Sequence, residues 1–505
     1  MLFSSYIFIL LFLPGTLFSY YLLNHFRYTT MARVFLVAAS LFFLAWSGMT
    51  SQSGITSHSI WFGITNLFIF LASILVNYTI GRQMASSSAR KNKKVSQDTL
   101  LMFGLVFNLG LLGYFKYMNF FIDSINMINP ESLIPLNIAL PLGISFFTLQ
   151  QIAFLIDVYE GLAEEQNLLD YTLFISFFPQ LIAGPIIHHK EMMPQFQQPN
   201  HAALKRSNIL PGLFVFSIGL FKKVVMADTF AVWANAGFDN GQALTFLEGW
   251  ACSLSYTMQV YFDMSGYADM AVGLGLMFNI VIPINFNSPF KATNIIDFWR
   301  RWHITVTRCI TTYIFTPIVR GATRPSFTRS VVAIFVAMCA VGFWHGAEWS
   351  FLLFGIIHGS ALVINHIGRR LKLRMPHFVA WFLTFNFVNV SFIIFRATDQ
   401  GIAVNIFKSM VGLGARLPTE SDYSNLAFPL NYDVWIYELL IGVQGEWRTI
   451  LFIIMSMVAC IFLKNSNEML KNFTPTLPKM IQLVTTLIVA VLAVNDGTSF
   501  LYFRF

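Results

Sequence analysis

The residues of this chain best suited to chemistry are two histidines in tryptophan-rich surroundings. His303 lies in Phe298-Trp299-Arg300-Arg301-Trp302-His303, and His345 in Gly342-Phe343-Trp344-His345-Gly346-Ala347. An imidazole takes up and returns a proton near neutral pH, so either can serve as a general base. A titratable side chain in hydrocarbon is costly, and its default reading is a functional site with a partner. For His345 the competing reading is a ring satisfied by a neighbouring helix backbone, but long apolar runs flank it and Trp344 and Trp349 stand on either side. Gly346 would let a substrate or another backbone approach closely. For His303 the competing reading is an interfacial amphipathic helix, with Trp302, Arg300 and Arg301 as headgroup anchors. Helical spacing would place Trp299 and His303 on one face, with Arg300 one turn away. A zinc pair is a third reading. Neither histidine has a partner at metal-ligand spacing and no HExxH or cysteine cluster exists, so no metal is expected.

Other polar residues interrupt the apolar pattern. The stretch Gln259-Val260-Tyr261-Phe262-Asp263-Met264-Ser265-Gly266-Tyr267-Ala268-Asp269 places Asp263 and Tyr267, and Ser265 and Asp269, four residues apart on shared helix faces. Such carboxylates either orient a reacting group or pin helices together. His188 and His189 follow the break between Pro179 and Pro185 and read as solvated loop residues.

The elements that must position these residues are membrane helices. The 505-residue chain is 56% hydrophobic and 11% charged, with a mean hydropathy of +0.63. A soluble domain carries about 25% charged residues, so this composition predicts an all-α polytopic membrane protein. The net charge of +8 resides in short loops and implies no nucleic-acid partner. Cys252, Cys309, Cys339 and Cys460 show no CxxC spacing and read as small buried side chains. Candidate spans are 4–23, 34–50, 60–80, 99–120, 136–159, 209–227, 247–279, 328–344, 349–367, 378–396, 449–463 and 480–496. These give about 10–12 transmembrane helices. The first is read as a retained helix rather than a signal peptide, because it lacks a basic n-region and a small-residue cleavage pattern. The run 171–187 is interrupted by Pro179, Gly184 and Pro185 and predicts a re-entrant or broken segment. No internal repeat is evident, so residues 1–505 read as one membrane domain. Lys and Arg cluster at Arg27 and Arg33, in Arg82–Lys94, across 290–330 (Lys291, Arg300, Arg301, Arg308, Arg320, Arg324, Arg329) and in Arg369–Arg374, which places these on the cytoplasmic side. The loops 52–59 and 397–447 are then external, as are both termini.

Read together, five segments resemble the membrane-bound O-acyltransferase (MBOAT) family, and most closely its bacterial branch that acetylates exported polysaccharides, such as alginate. They are Leu140-Pro141-Leu142-Gly143-Ile144-Ser145-Phe146-Phe147-Thr148, Phe178-Pro179-Gln180-Leu181-Ile182-Ala183-Gly184-Pro185-Ile186, Gln259 through Tyr267, Asn285-Phe286-Asn287-Ser288-Pro289-Phe290 continuing through His303, and Phe343-Trp344-His345-Gly346. The resemblance covers roughly residues 100–370, and Leu501-Tyr502-Phe503-Arg504-Phe505 also resembles that branch. The chain departs from the family after His303: Arg308 through Val319 lacks the expected Asp and double Gly.

The resemblance implies a helical core around a central tunnel, with His345 and His303 as catalytic residues. It implies an acyl group, most simply acetyl from acetyl-CoA, collected in the cytoplasm and passed across the bacterial inner membrane to a glycan. No bound cofactor is implied. An esterase-like (SGNH) extracytoplasmic partner is. Trp302, Arg300, Arg301, Trp344, Asp263 and Tyr267 are the expected substrate-binding residues, with Arg300, Arg301 and Lys291 drawing the donor's phosphates. Two alternatives stand beside this reading: D-alanyl transfer to teichoic acid from a carrier protein, and a non-enzymatic glycan or lipid transporter.

Overall fold

The computed structural model of the chain describes residues 2–50, 57–89, 96–130, 132–136, 138–163, 167–198, 203–239, 244–321, 326–397, 399–413, 446–495 and 501. Among these residues the secondary structure is helical, with no strands. Among the described residues, eight helices are long and apolar enough to cross a membrane, and three shorter apolar helices, Ile144–Tyr159, Thr449–Phe462 and Leu477–Leu492, accompany them. The helix Phe246–Met277 is 32 residues long. The chain is a multi-pass, all-α membrane protein. One predicted span is shortened: the helix expected over 136–159 begins at Ile144, because Pro135 and Pro141 interrupt the helical ladder before it. Much of the sequence that bears on orientation, at 51–56, 90–95, Arg324 and 414–445, lies outside the described residues, as do 502–505 of the C-terminal motif.

The chain folds into two compact units. The first comprises Met1–Leu213 and Ala271–Pro283. Its helices are joined by polar contacts where lipid offers no hydrogen-bonding competitor. Ser73 Oγ and Asn77 Nδ2 both donate to Gln151 Oε1, at 2.7 and 2.8 Å, and Asn108 Nδ2 donates to Asn77 Oδ1 at 2.6 Å. The broken segment is present as predicted. The helix Leu168–Ser176 ends at Phe177, a four-residue turn Phe178–Leu181 follows, and Gln180 Nε2 donates back to Phe174 O at 2.6 Å. The sequence reading of His189 is corrected. It is buried, with Nδ1 3.2 Å from Asp157 Oδ2 and its ring beside Phe154. Its acceptor comes from the helix Ile144–Tyr159, which local polarity does not reveal.

The second unit comprises Phe214–Met270 and Ile284–Phe505. The helices Phe327–His345 and Trp349–Arg370 form a tight hairpin. Gly342 and Gly355 let the two backbones meet: a Cβ at Gly342 would run into Phe351 O and Gly355. The helix His377–Arg396 packs against the second arm. Lysine–aspartate pairs also hold this unit together. Lys223 Nζ lies 2.5 Å from Asp228 and 3.0 Å from Asp263, and Lys222 Nζ lies 2.6 Å from Asp269.

Candidate active site

The site is built where two helices end. The first arm of the hairpin terminates at His345, and the extended backbone at Gly346 turns the chain away. The helix Ile295–Arg301 terminates one residue before Trp302, and the next helix starts at Ile304. Between them His303 takes a left-handed backbone, φ 46° and ψ 50°. A side-chain-bearing residue holds that conformation only when its surroundings over-determine it. Two backbone hydrogen bonds do so here: Asn287 N to Arg301 O and Ile304 N to Asn285 O, both 2.9 Å. The rings of His303 and His345 are consequently buried together, with centroids 6.1 Å apart. Trp344 packs on both, at 6.1 Å from His303 and 5.1 Å from His345. Phe286 flanks His303 at 6.0 Å and Phe395 flanks His345 at 5.4 Å.

Asn285 decides which nitrogen of His303 is available. Its Oδ1 accepts from Thr305 N at 3.1 Å and Thr305 Oγ1 at 2.9 Å, which identifies that atom as the amide oxygen. His303 Nδ1 lies 3.3 Å from the same oxygen. An amide oxygen only accepts, so Nδ1 of the neutral ring carries the hydrogen. Nε2 is left with its lone pair, and it is buried with no hydrogen-bond partner among the described residues. A neutral imidazole with one nitrogen fixed as donor and the other open has the form a general base requires.

Residues 136–407, a span that contains Asn285, His303 and His345, match the profile of MBOAT, the membrane-bound O-acyltransferase family. The chain belongs to that family. It is 42% identical over 444 residues to a peptidoglycan O-acetyltransferase of Helicobacter pylori, covering 82% of this chain and 80% of that protein. It is 35% identical over 432 residues to a probable alginate O-acetylase of Pseudomonas aeruginosa, covering 84% and 78%. A teichoic acid D-alanyltransferase of Streptococcus thermophilus is 29% identical over 285 residues, covering 50% of this chain and 68% of that protein. The chain is thus an acyltransferase of the polysaccharide O-acetyltransferase branch.

The other expected MBOAT site residues divide into two groups. Trp302 joins the cage around the histidines: it stacks on Phe298 at 5.5 Å and meets Phe286 edge-on at 5.0 Å. Trp299 does not share a helix face with His303, because the helix ends between them. Its Nε1 donates to His358 Nδ1 at 3.2 Å, and His358 Nε2 donates to Ser391 Oγ at 2.9 Å. The space beside Gly346 is taken by the Phe351 ring, which a Cβ would strike. Arg301 is committed to Asp297 Oδ1 at 3.0 Å, and Lys291 to Leu463 O at 3.0 Å. Arg300 is exposed. Asp263 meets Lys223 and accepts from Leu501 N at 2.9 Å, the partners of the helix-pinning alternative. Tyr267 is buried on the same helix.

Sequence reasoning missed Asn285 and His358. Asn285 stands inside the Asn-Phe-Asn-Ser-Pro-Phe motif, so position alone could have nominated it. His358 sits mid-helix in an apolar stretch, the same kind of setting that drew attention to His345. Among the described residues, no group of three or more His, Cys, Asp or Glu is arranged to hold a metal ion. A cavity of about 270 Å³ in the first unit, lined by Tyr20, Asn24, Arg33 and Gln195 among others, includes none of these candidates.

Proposed function

We propose that this chain takes an acetyl group from acetyl-CoA at the cytoplasmic face of a bacterial inner membrane and delivers it for O-acetylation of an exported or cell-surface glycan. The observation that carries the reading is the buried pair of imidazoles 6.1 Å apart, one of them with its reactive nitrogen set by Asn285. The relatives named for peptidoglycan and alginate O-acetylation support the acceptor class. In this reading one imidazole removes the proton of an incoming hydroxyl. The hydroxyl oxygen attacks the thioester carbonyl, the C–S bond breaks, and coenzyme A leaves as the thiol after taking up a proton. His345 is the primary base, and His303 stands toward the donor. Trp302 and Trp344 exclude water, which strengthens every electrostatic interaction inside. The exposed Arg300 offers its cation to the donor's phosphates, while Arg301 and Lys291 add charge from positions held by other partners. An esterase-like transferase at the outer face completes delivery to the glycan.

Ester-linked acetyl on the cell's glycans is the direct test. His345→Ala should lower it by about 10²- to 10⁴-fold with unchanged membrane insertion, the range expected for losing a general base. His303→Ala should be strongly impaired, and more so than Arg301→Ala, since a partly exposed charge already paired with Asp297 is screened. Near-normal acetylation in His345→Ala cells would refute the assignment. Release of thiol from acetyl-CoA by the purified protein separates this reading from D-alanyl transfer, which instead requires a charged carrier protein.

A further inference from the structure

We propose that the turn Leu463–Glu468, which lies beyond the family-matching region 136–407, is a positioning element of the acyl-transfer site. It acts on His303 through the loop Asn285–Ser288, with Asn467 and Asn465 as the residues that grip the loop. The proposal rests on His303 belonging to the reacting site.

The contacts are specific and mutually consistent. Asn467 is buried, and its Nδ2 donates to Phe286 O at 2.7 Å. Asn465 Nδ2 donates to Asn287 Oδ1 at 2.9 Å and to Ser288 Oγ at 2.8 Å. The amide oxygen of Asn465 accepts from Glu468 N, and Glu468 Oε2 accepts in turn from Asn465 N, so a capping box freezes the turn that presents these donors. Ser466 Oγ donates to Asp269 Oδ1 at 2.8 Å, and Asp269 also holds Lys222. The turn is therefore anchored on a largely buried ion pair on one side and grips the loop on the other.

The loop needs that grip. Ser288, at φ 47°, and His303, at φ 46°, both stand in the left-handed region without being glycine. Such residues persist only where neighbours leave no alternative. Asn285 and Phe286 are adjacent, so whatever holds Phe286 O also sets where Asn285 Oδ1 meets His303 Nδ1. Releasing Asn467 frees the loop, and the imidazole loses its fixed tautomer and direction.

The test uses the full-length protein in inside-out membrane vesicles, with acetyl-CoA added outside as donor and an N-acetylglucosamine oligosaccharide enclosed in the lumen as acceptor, read by thiol release. Asn467→Ala should lower kcat by about ten- to a hundredfold, the loss expected when a reacting group is misplaced by about an ångström. KM for acetyl-CoA and the melting temperature in detergent should not change. Asn467→Gln, which keeps an amide donor, should recover part of the loss. Asn472→Ala, on an exposed residue that bonds only within its own helix end, should behave as wild type. Wild-type kcat in Asn467→Ala, or a loss that tracks a fall in melting temperature, overturns the proposal. His303→Ala is measured alongside. Full activity there refutes the role of His303 itself, whereas an inactive His303→Ala beside a fully active Asn467→Ala refutes only the positioning.

Discussion

The placement of the His303 ring depends on an asparagine. Asn285 Oδ1 accepts three hydrogen bonds, two from Thr305 and one from His303. Removing it should therefore affect the orientation of the imidazole more than the stability of the fold. Asn285→Ala is expected to reduce acyl transfer by about tenfold or more. Asn285→Asp retains an acceptor facing Nδ1 and should keep more activity than the alanine variant. Thiol release from acetyl-CoA by the two variants, compared at equal protein, checks this order. An aspartate variant as impaired as the alanine would show that the acceptor does not matter.

Among the elements, the helix Phe246–Met277 carries the clearest division of labour. Its acidic residues admit two readings in sequence, orienting a reacting group or pinning helices, because carboxylates are rare in membrane spans. In the fold Asp263 is matched with Lys223, and Asp269 with Lys222 and Ser466. Lys223 is shared by Asp263 and Asp228, so removing Asp263 loosens this cluster and costs less than the roughly 3–5 kcal/mol of breaking an isolated buried pair. Asp263→Ala should accordingly lower the melting temperature in detergent, whereas His345→Ala should not. A stable but inactive Asp263→Ala protein would move Asp263 from anchor to reacting residue. The hairpin of Phe327–His345 and Trp349–Arg370 depends on a different physical effect, since Gly342 and Gly355 permit backbone contact rather than charge pairing.

At the scale of the whole molecule, the distribution of Lys and Arg sets the expected orientation. The 82–94 and 369–374 loops should be cytoplasmic and the 397–447 loop external. Single cysteines introduced into these loops, probed in intact cells with a membrane-impermeant thiol reagent, check it. Labelling near Lys93 from outside would invert the assignment. In that expected orientation the basic segment around Arg300 faces the cytoplasm.

What the sequence by itself determined was the solvent and the set of helices. Apolar runs long enough to span a bilayer leave the backbone little choice but helix, because unsatisfied peptide groups are costly in lipid. The two histidines were equally legible, as titratable groups among tryptophans. Tertiary structure alone decided their partnership. The stretch of chain from His303 to His345 encodes no distance. The 6.1 Å between their rings arises because one helix ends at Arg301 and another at His345, and the chain folds those two ends together. It likewise decided that Asp263 pairs with Lys223, that His189 is buried against Asp157, and that Phe351 takes the space left by Gly346. Each of these contacts joins residues too far apart, or too dependent on packing, for local spacing to specify.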